Sequence, residues 1–199
     1  MKGKAIFLGT GTSQGVPLIA CNCHVCSSKD IRDKRLRSSL LLQINSLNYV
    51  IDTGPDFREQ MLRLKIQDLE SILFTHEHKD HIAGLDDVRA FNYKQQRPMK
   101  VYCTEHVEVA IKREFHYIFS AQSYPGIPKI DIQIINKEPF KLSDTINIIP
   151  ILVYHHKMPV FGYRVGNFAY ITDAKTIEQE ERDKLKGLNT LVINALHQY

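Results

Sequence analysis

Apolar residues along this chain come in short runs, cut by glycine, proline, asparagine and aspartate. Runs with such boundaries read as strands. The pattern predicts strands over residues 4–8, 38–44, 47–51, 71–75, 100–102, 130–135, 146–154, 168–174 and 188–195, with Asn45 and Ser46 as a hairpin turn. Helical spacing is predicted over 57–64, 82–92, 105–119 and 178–185. In the second of these the apolar positions are Ile82, Leu85, Val88, Ala90 and Phe91. Strands at both ends of the sequence with helices between them predict an α/β fold: a sandwich of two mixed sheets flanked by helices, in four layers. No composition shift or internal repeat marks a boundary, so 1–199 is expected to be one domain.

One junction between a strand and a helix carries unusual chemistry. His76-Glu77-His78-Lys79-Asp80-His81 follows the apolar run 71–75 and precedes the helical pattern. His76 and His78 lie two apart and point to one side of an extended chain. A loop entering a helix can aim Asp80 and His81 inward as well. Three imidazoles and a carboxylate in six residues are ligand chemistry for zinc, manganese or iron. A second cluster, Cys21, Cys23 and Cys26 with His24 among them, offers thiolates for tetrahedral zinc. Cys103 stands alone and reads as packing. His106 and His116, inside a predicted helix, read as surface or core residues rather than ligands.

Composition narrows the picture further. Hydrophobic residues make up 43% of the chain, and the net charge is +4 from 26 basic and 22 acidic residues. That excess is too small to argue for nucleic acid by itself. No apolar run is long enough to span a membrane, and the first residues lead into a strand rather than a leader. Three clustered cysteines of four suggest metal binding in a reducing cytoplasm. The glycine-rich loop 9–17 is neither a Walker loop nor a dinucleotide fingerprint, because no Gly-Lys-Ser/Thr ends it and its third glycine comes late. Residues 30–37 are charged and read mainly as a solvated face, with basic groups that could meet an anionic substrate.

The form His-x-His-x-Asp-His resembles the signature of the metallo-β-lactamase-fold hydrolases. Gly-Thr-Gly-x-x-x-Gly-x-Pro followed by Cys-x-Cys-x-x-Cys is similar to the branch that includes the phosphoribosyl cyclic phosphate phosphodiesterases, and to a branch that assists biosynthesis of pyrroloquinoline quinone. The resemblance implies an α/β metallo-β-lactamase-like αββα sandwich in four layers. It implies His76 and His78 on one metal, Asp80 and His81 on a second, and Asp52 supporting the loop without touching a metal. His156, seven residues before Tyr163, corresponds to the third ligand of the first metal, with His155 as the other choice. Asp173 corresponds to the carboxylate that bridges both metals. Cys21, Cys23 and Cys26 correspond to ligands of a structural zinc. The family pattern runs on beyond residue 199, so the chain is expected to be short at its C-terminus. The last ligand of the second metal and the catalytic histidine have no match here, and His197 stays unassigned.

The function so implied is a metal-dependent hydrolase of small or cyclic phosphodiesters, with two divalent zinc or manganese ions, a metal-activated hydroxide and Asp80 as a catalytic group orienting the water. Alternatives are an RNA 3′-processing nuclease of the same superfamily and a non-catalytic metal-binding accessory protein of cofactor biosynthesis. The expected partner is a small phosphodiester; neither membrane nor nucleic acid is expected, and a homodimer is compatible with the sequence. The expected location is the cytoplasm.

Overall fold

The computed structural model describes residues 3–120 and 124–195. His197 lies outside the described residues. The chain forms two compact units, Met1–Gln133 and Ile134–Tyr199.

The first unit is built on a six-stranded sheet in the order β1-β2-β3-β4-β5-β6. Its strands are β1 (Gly3–Gly9), β2 (Ser39–Ile44), β3 (Leu47–Ile51), β4 (Ser71–Leu73), β5 (Met99–Cys103) and β6 (Ile130–Ile134). β1, β2 and β3 are antiparallel neighbours. Asn45 and Ser46 turn the β2–β3 hairpin with positive φ at both positions, as a tight two-residue turn requires. β3, β4 and β5 run parallel, and parallel neighbours need crossovers. Helix α1 (Phe57–Arg63) lies in the first, and α2 (Lys79–Ile82) and α3 (Arg89–Gln95) in the second. Val50, Ile72 and Val101 stand side by side in register. They are fully buried with Phe57, Met61, Leu85, Val88 and Phe91, and with Val107 and Ile111 of α4 (Glu105–Glu114).

The second unit carries a five-stranded sheet in the order β11-β10-β9-β8-β7. The strands are β7 (Phe140–Ser143), β8 (Ile146–His155), β9 (Met158–Val165), β10 (Phe168–Ile171) and β11 (Thr190–Ile193). β10 and β11 are parallel and the others antiparallel. Helix α5 (Gln179–Asp183) makes the parallel crossover. Its Glu181 is buried and accepts the Leu152 backbone N–H at 2.8 Å, while Lys184 pairs with the same carboxylate at 2.8 Å. Ile151, Val153, Val160, Ala169 and Ile171 form the core of this unit.

Two helical expectations need correction. The helix expected over 82–92 is broken: a 3-10 turn, Leu85–Val88, separates α2 from α3. Gly84 sits at the break with its N–H bonded to the Thr53 carbonyl, so a tertiary contact outweighs the helical spacing. The helix expected over 105–119 ends at Glu114 and gives way to a 3-10 turn, His116–Ile118. The edge strand β7 had no prediction, because its apolar positions are few and only half-buried. Among the described residues, no helix is long and apolar enough to cross a membrane.

Ile72 is fully buried at the centre of the first unit's core. Ile72→Ala is expected to cost about 2–5 kcal/mol, read as a lower midpoint of urea unfolding followed by circular dichroism.

Candidate metal centre

Parallel strands deliver the loops that follow them to one edge of the sheet, where ligands collect in open α/β folds. β3 and β4 end side by side, with Ile51 opposite Leu73. The next residue after β3 is Asp52, and two residues after β4 comes Thr75. Register thus places Asp52 against the loop that carries the histidines.

Asp52 is fully buried with φ 64°. Its Oδ1 accepts the Thr75 N–H at 2.8 Å, and its Oδ2 accepts the Thr75 hydroxyl at 2.8 Å. The same Oδ2 lies 2.7 Å from His81 Nδ1. Burial raises the Asp52 carboxyl, against the opposing pull of His81 and the two Thr75 donors. A carboxylate accepts only, so His81 carries its proton on Nδ1 and presents Nε2 to the site. Thr75 Oγ1 already donates to Asp52, so at 2.9 Å it accepts from His76 Nδ1. His76 therefore also presents Nε2.

Each of these two nitrogens lies beside a second metal-ligand atom. His76 Nε2 lies 3.1 Å from His78 Nδ1, and His81 Nε2 lies 3.2 Å from an Asp80 carboxylate oxygen. Metal–nitrogen bonds of about 2.0–2.1 Å at tetrahedral angles separate neighbouring ligand atoms by about 3.3–3.4 Å. Both pairs fall close to that spacing, and imidazole with carboxylate suits a divalent cation of borderline hardness. The His76 and His81 rings are 4.1 Å apart between centroids, so the two pairs are adjacent. His76 and His81 are buried, Asp80 is half-buried and His78 is exposed. The intervening motif residues turn toward α4: Glu77 lies 3.1 Å from His106 Nε2, and Lys79 pairs with Glu114. His106 thus has a surface partner.

Close backbone approach seats this loop. The Thr53 N–H bonds the His81 carbonyl at 2.8 Å, and the Gly84 N–H bonds the Thr53 carbonyl at 2.8 Å. A Cβ on Gly54 would fall 2.0 Å from the Asp80 carbonyl oxygen, and one on Gly84 would fall 2.2 Å from that of Gly54. No side chain fits at either position.

The Sγ atoms of Cys21, Cys23 and Cys26 lie within 4.8 Å of one another. The Leu18 N–H points at Cys26 Sγ and the Cys26 N–H at Cys23 Sγ. The Cys26 N–H, aided by the neighbouring thiols, lowers Cys23 to about 7. At Cys26 the Leu18 N–H acts the same way, but burial and the other two thiols outweigh it and raise the group. His24 is exposed. Three sulfurs at this separation fit one zinc ion with room for a fourth ligand.

In the second unit, His155 ends β8 half-buried, and His156 follows in the two-residue turn to β9 with φ 57°. His156 is exposed, with Nδ1 3.4 Å from Lys175 Nζ. Asp173 lies two residues past β10 with φ 55° and accepts the Thr172 hydroxyl at 2.6 Å. Asn194 brackets the next residue, accepting the Ala174 N–H and donating to its carbonyl. Asp52, His156 and Asp173 all hold left-handed backbone, a conformation that collects at functional sites.

Comparison with known proteins sets these features in a family. The profile of the β-lactamase superfamily domain matches residues 47–198. The chain belongs to the β-lactamase superfamily. It has that superfamily's metallo-β-lactamase fold, of the α/β class with mixed sheets and helices. A solved diphosphatase from the PhnP family superposes with a TM-score of 0.88 at 38% identity, covering 96% of this chain and 72% of that one. Zinc-bound PqqB from Methylobacterium extorquens superposes at 0.74 with 18% identity, covering 98% and 73%, a likeness of fold. An octanoyltransferase of Porphyromonas gingivalis is 40% identical over 195 residues, 97% of this chain. The chain spans 39% of the length of that protein, whose name describes a much longer polypeptide.

Within this superfamily domain, sequence reasoning assigned no role to Thr75, Gly54 or Gly84. Thr75 is an ordinary strand residue by type, and its double role appears only when β3 lies beside β4. Gly54, two residues after Asp52, is a visible signal, since Asp-Thr-Gly-Pro reads as a turn. What it makes room for is not.

Gly54→Ala is expected to displace the Asp80 backbone and lower the melting temperature by several degrees, as differential scanning calorimetry would register. In metal-free protein Cys23 should alkylate fastest of the four cysteines. Its thiolate fraction rises through pH about 7, whereas Cys103, pushed by burial to about 12, stays inert at that pH. Mass spectrometry of iodoacetamide-treated protein against pH checks both statements.

Proposed function

We propose that this domain hydrolyses small or cyclic phosphodiesters at a two-metal centre of zinc or manganese. The observation that carries the reading is the twin pairing in the segment that follows β4: His76 Nε2 with His78 Nδ1, and His81 Nε2 with Asp80. In this reading His76 and His78 would hold one cation and Asp80 and His81 the other. In the second unit, His156 and Asp173 are the residues that would serve as further metal ligands. Cys21, Cys23 and Cys26 hold a structural zinc.

Bound cations supply Lewis-acid polarisation of phosphoryl oxygens and lower the pKa of a water at the site. The protein supplies the rest. Asp52 keeps His81 in the tautomer that leaves Nε2 available, and Thr75 does the same for His76. Asp80, half-buried beside His81, orients the attacking water toward phosphorus. A second reading, cleavage of a diphosphate linkage, is supported by the 38% identity to a diphosphatase. Both linkages present anionic phosphoryl oxygens to the same ligand pairs.

Protein purified without added metal is expected to hold two or three equivalents of metal by elemental analysis. His78→Ala should cut hydrolysis of a panel of cyclic and linear phosphodiesters and diphosphate diesters by more than the about 10–100-fold typical of a change around the ligands. His155→Ala and His156→Ala, run side by side, should show the larger loss at His156. Full activity in His78→Ala, or in chelated protein, would sink the metal mechanism.

A further inference from the structure

The first unit has a groove between α1 and α3 that the metal centre does not use. It encloses about 410 Å³, within the size range of small-molecule sites. Phe57, Met61 and Phe91 are almost fully buried and form its floor, and half-buried Ile66 closes one side. Each helix wall is seven residues, about 10 Å. Exposed Leu62 and Ala90 line the mouth. A floor of two aromatic rings and a thioether adapts to a flexible hydrocarbon.

Charge at the mouth is uneven. Arg58, Lys65 and Lys94 are cationic, and Asp87 is the one acidic lining residue. Lys94 is occupied, donating to the Gln67 carbonyl at 2.9 Å and its side-chain oxygen at 3.1 Å, with Asp68 at 3.7 Å. Burial and the neighbouring Asp86 raise the Asp87 carboxyl, against the pull of Arg89 and Arg58, and Arg89 is itself paired with Asp86 at 3.4 Å. Among the described residues, neither Arg58 nor Lys65 is in an ion pair. An apolar trough about 10 Å long, with Arg58, Lys65 and Lys94 outnumbering Asp87 at its mouth, suits a molecule with an apolar body and an anionic head.

The geometry points to a binding site for a small amphipathic anion: an aliphatic body of about ten carbons ending in a carboxylate or phosphate. The body lies on Phe57, Met61 and Phe91, and the head group meets Arg58 and Lys65. This site is independent of the hydrolase reading, and its test needs no turnover.

The full chain, labelled with 15N, is titrated with decanoate and with decyl phosphate, and decyltrimethylammonium serves as the cationic control. Saturable shifts gathered at Leu62, Ile66, Ala90 and Phe91, with a dissociation constant of about 1 mM or tighter, are expected for both anions. Whichever anion binds more tightly identifies the head group. The Arg58→Gln/Lys65→Gln double variant should weaken binding about tenfold. Ala90→Phe, at an exposed position, should fill the mouth and abolish it while the spectrum stays dispersed. No saturable shift with either anion would overturn the proposal. So would equal binding of the cation, or groove shifts that follow protein concentration alone and so mark self-association.

Discussion

Asp52 has no access to solvent, and three protein donors converge on its two oxygens. Removing one partner from a buried charge of this kind costs about 3–5 kcal/mol, because the remaining charge is left uncompensated. Everything around Asp52 is arranged to keep those donors in place. The parallel register of β3 and β4 brings Thr75 alongside. The left-handed backbone at Asp52 turns the chain toward the loop that follows β4. Through Thr75 and His81 the carboxylate fixes which ring nitrogen of His76 and of His81 faces outward.

That electrostatic anchor needs a backbone that can come close enough. Thr53 and Gly54 run against the segment Asp80–Gly84, with hydrogen bonds in both directions and no space for side chains. The same contact breaks the expected long helix at Gly84. A continuous helix would carry Gly84 away from Thr53 and loosen the loop holding Asp80 and His81. The break is therefore part of how the site is held.

The cysteine loop solves a related problem by other means. Residues 10–38 contain little regular structure beyond a 3-10 turn, Ile31–Asp33. The Gly11 N–H bonds the Leu36 carbonyl and the Val16 N–H the Arg35 carbonyl. Arg37 pairs with Asp56 at 2.8 Å and donates to the Ser13 carbonyl. The three sulfurs sit inside this framework. A long irregular segment has few apolar contacts to order it, and these polar cross-links are the physical substitute.

Sequence alone determined the class of the fold and the chemistry of the motif. Alternation and short apolar runs placed β2, β3, β6 and β8 close to their observed bounds, because strand burial on a sheet follows from local pattern. Four ligand-type side chains within six residues announced themselves by type and spacing. The tertiary structure decided what no window of residues contains. Thr75 became a relay because two strands distant in sequence lie in register. The helix over 82–92 broke because Gly84 packs on Gly54. The edge strand β7 formed against β8 despite a weak pattern, since pairing supplied what its half-buried side chains do not. Long-range contacts override local preference wherever backbone groups must be satisfied in one shared place, and here that place is the buried carboxylate of Asp52.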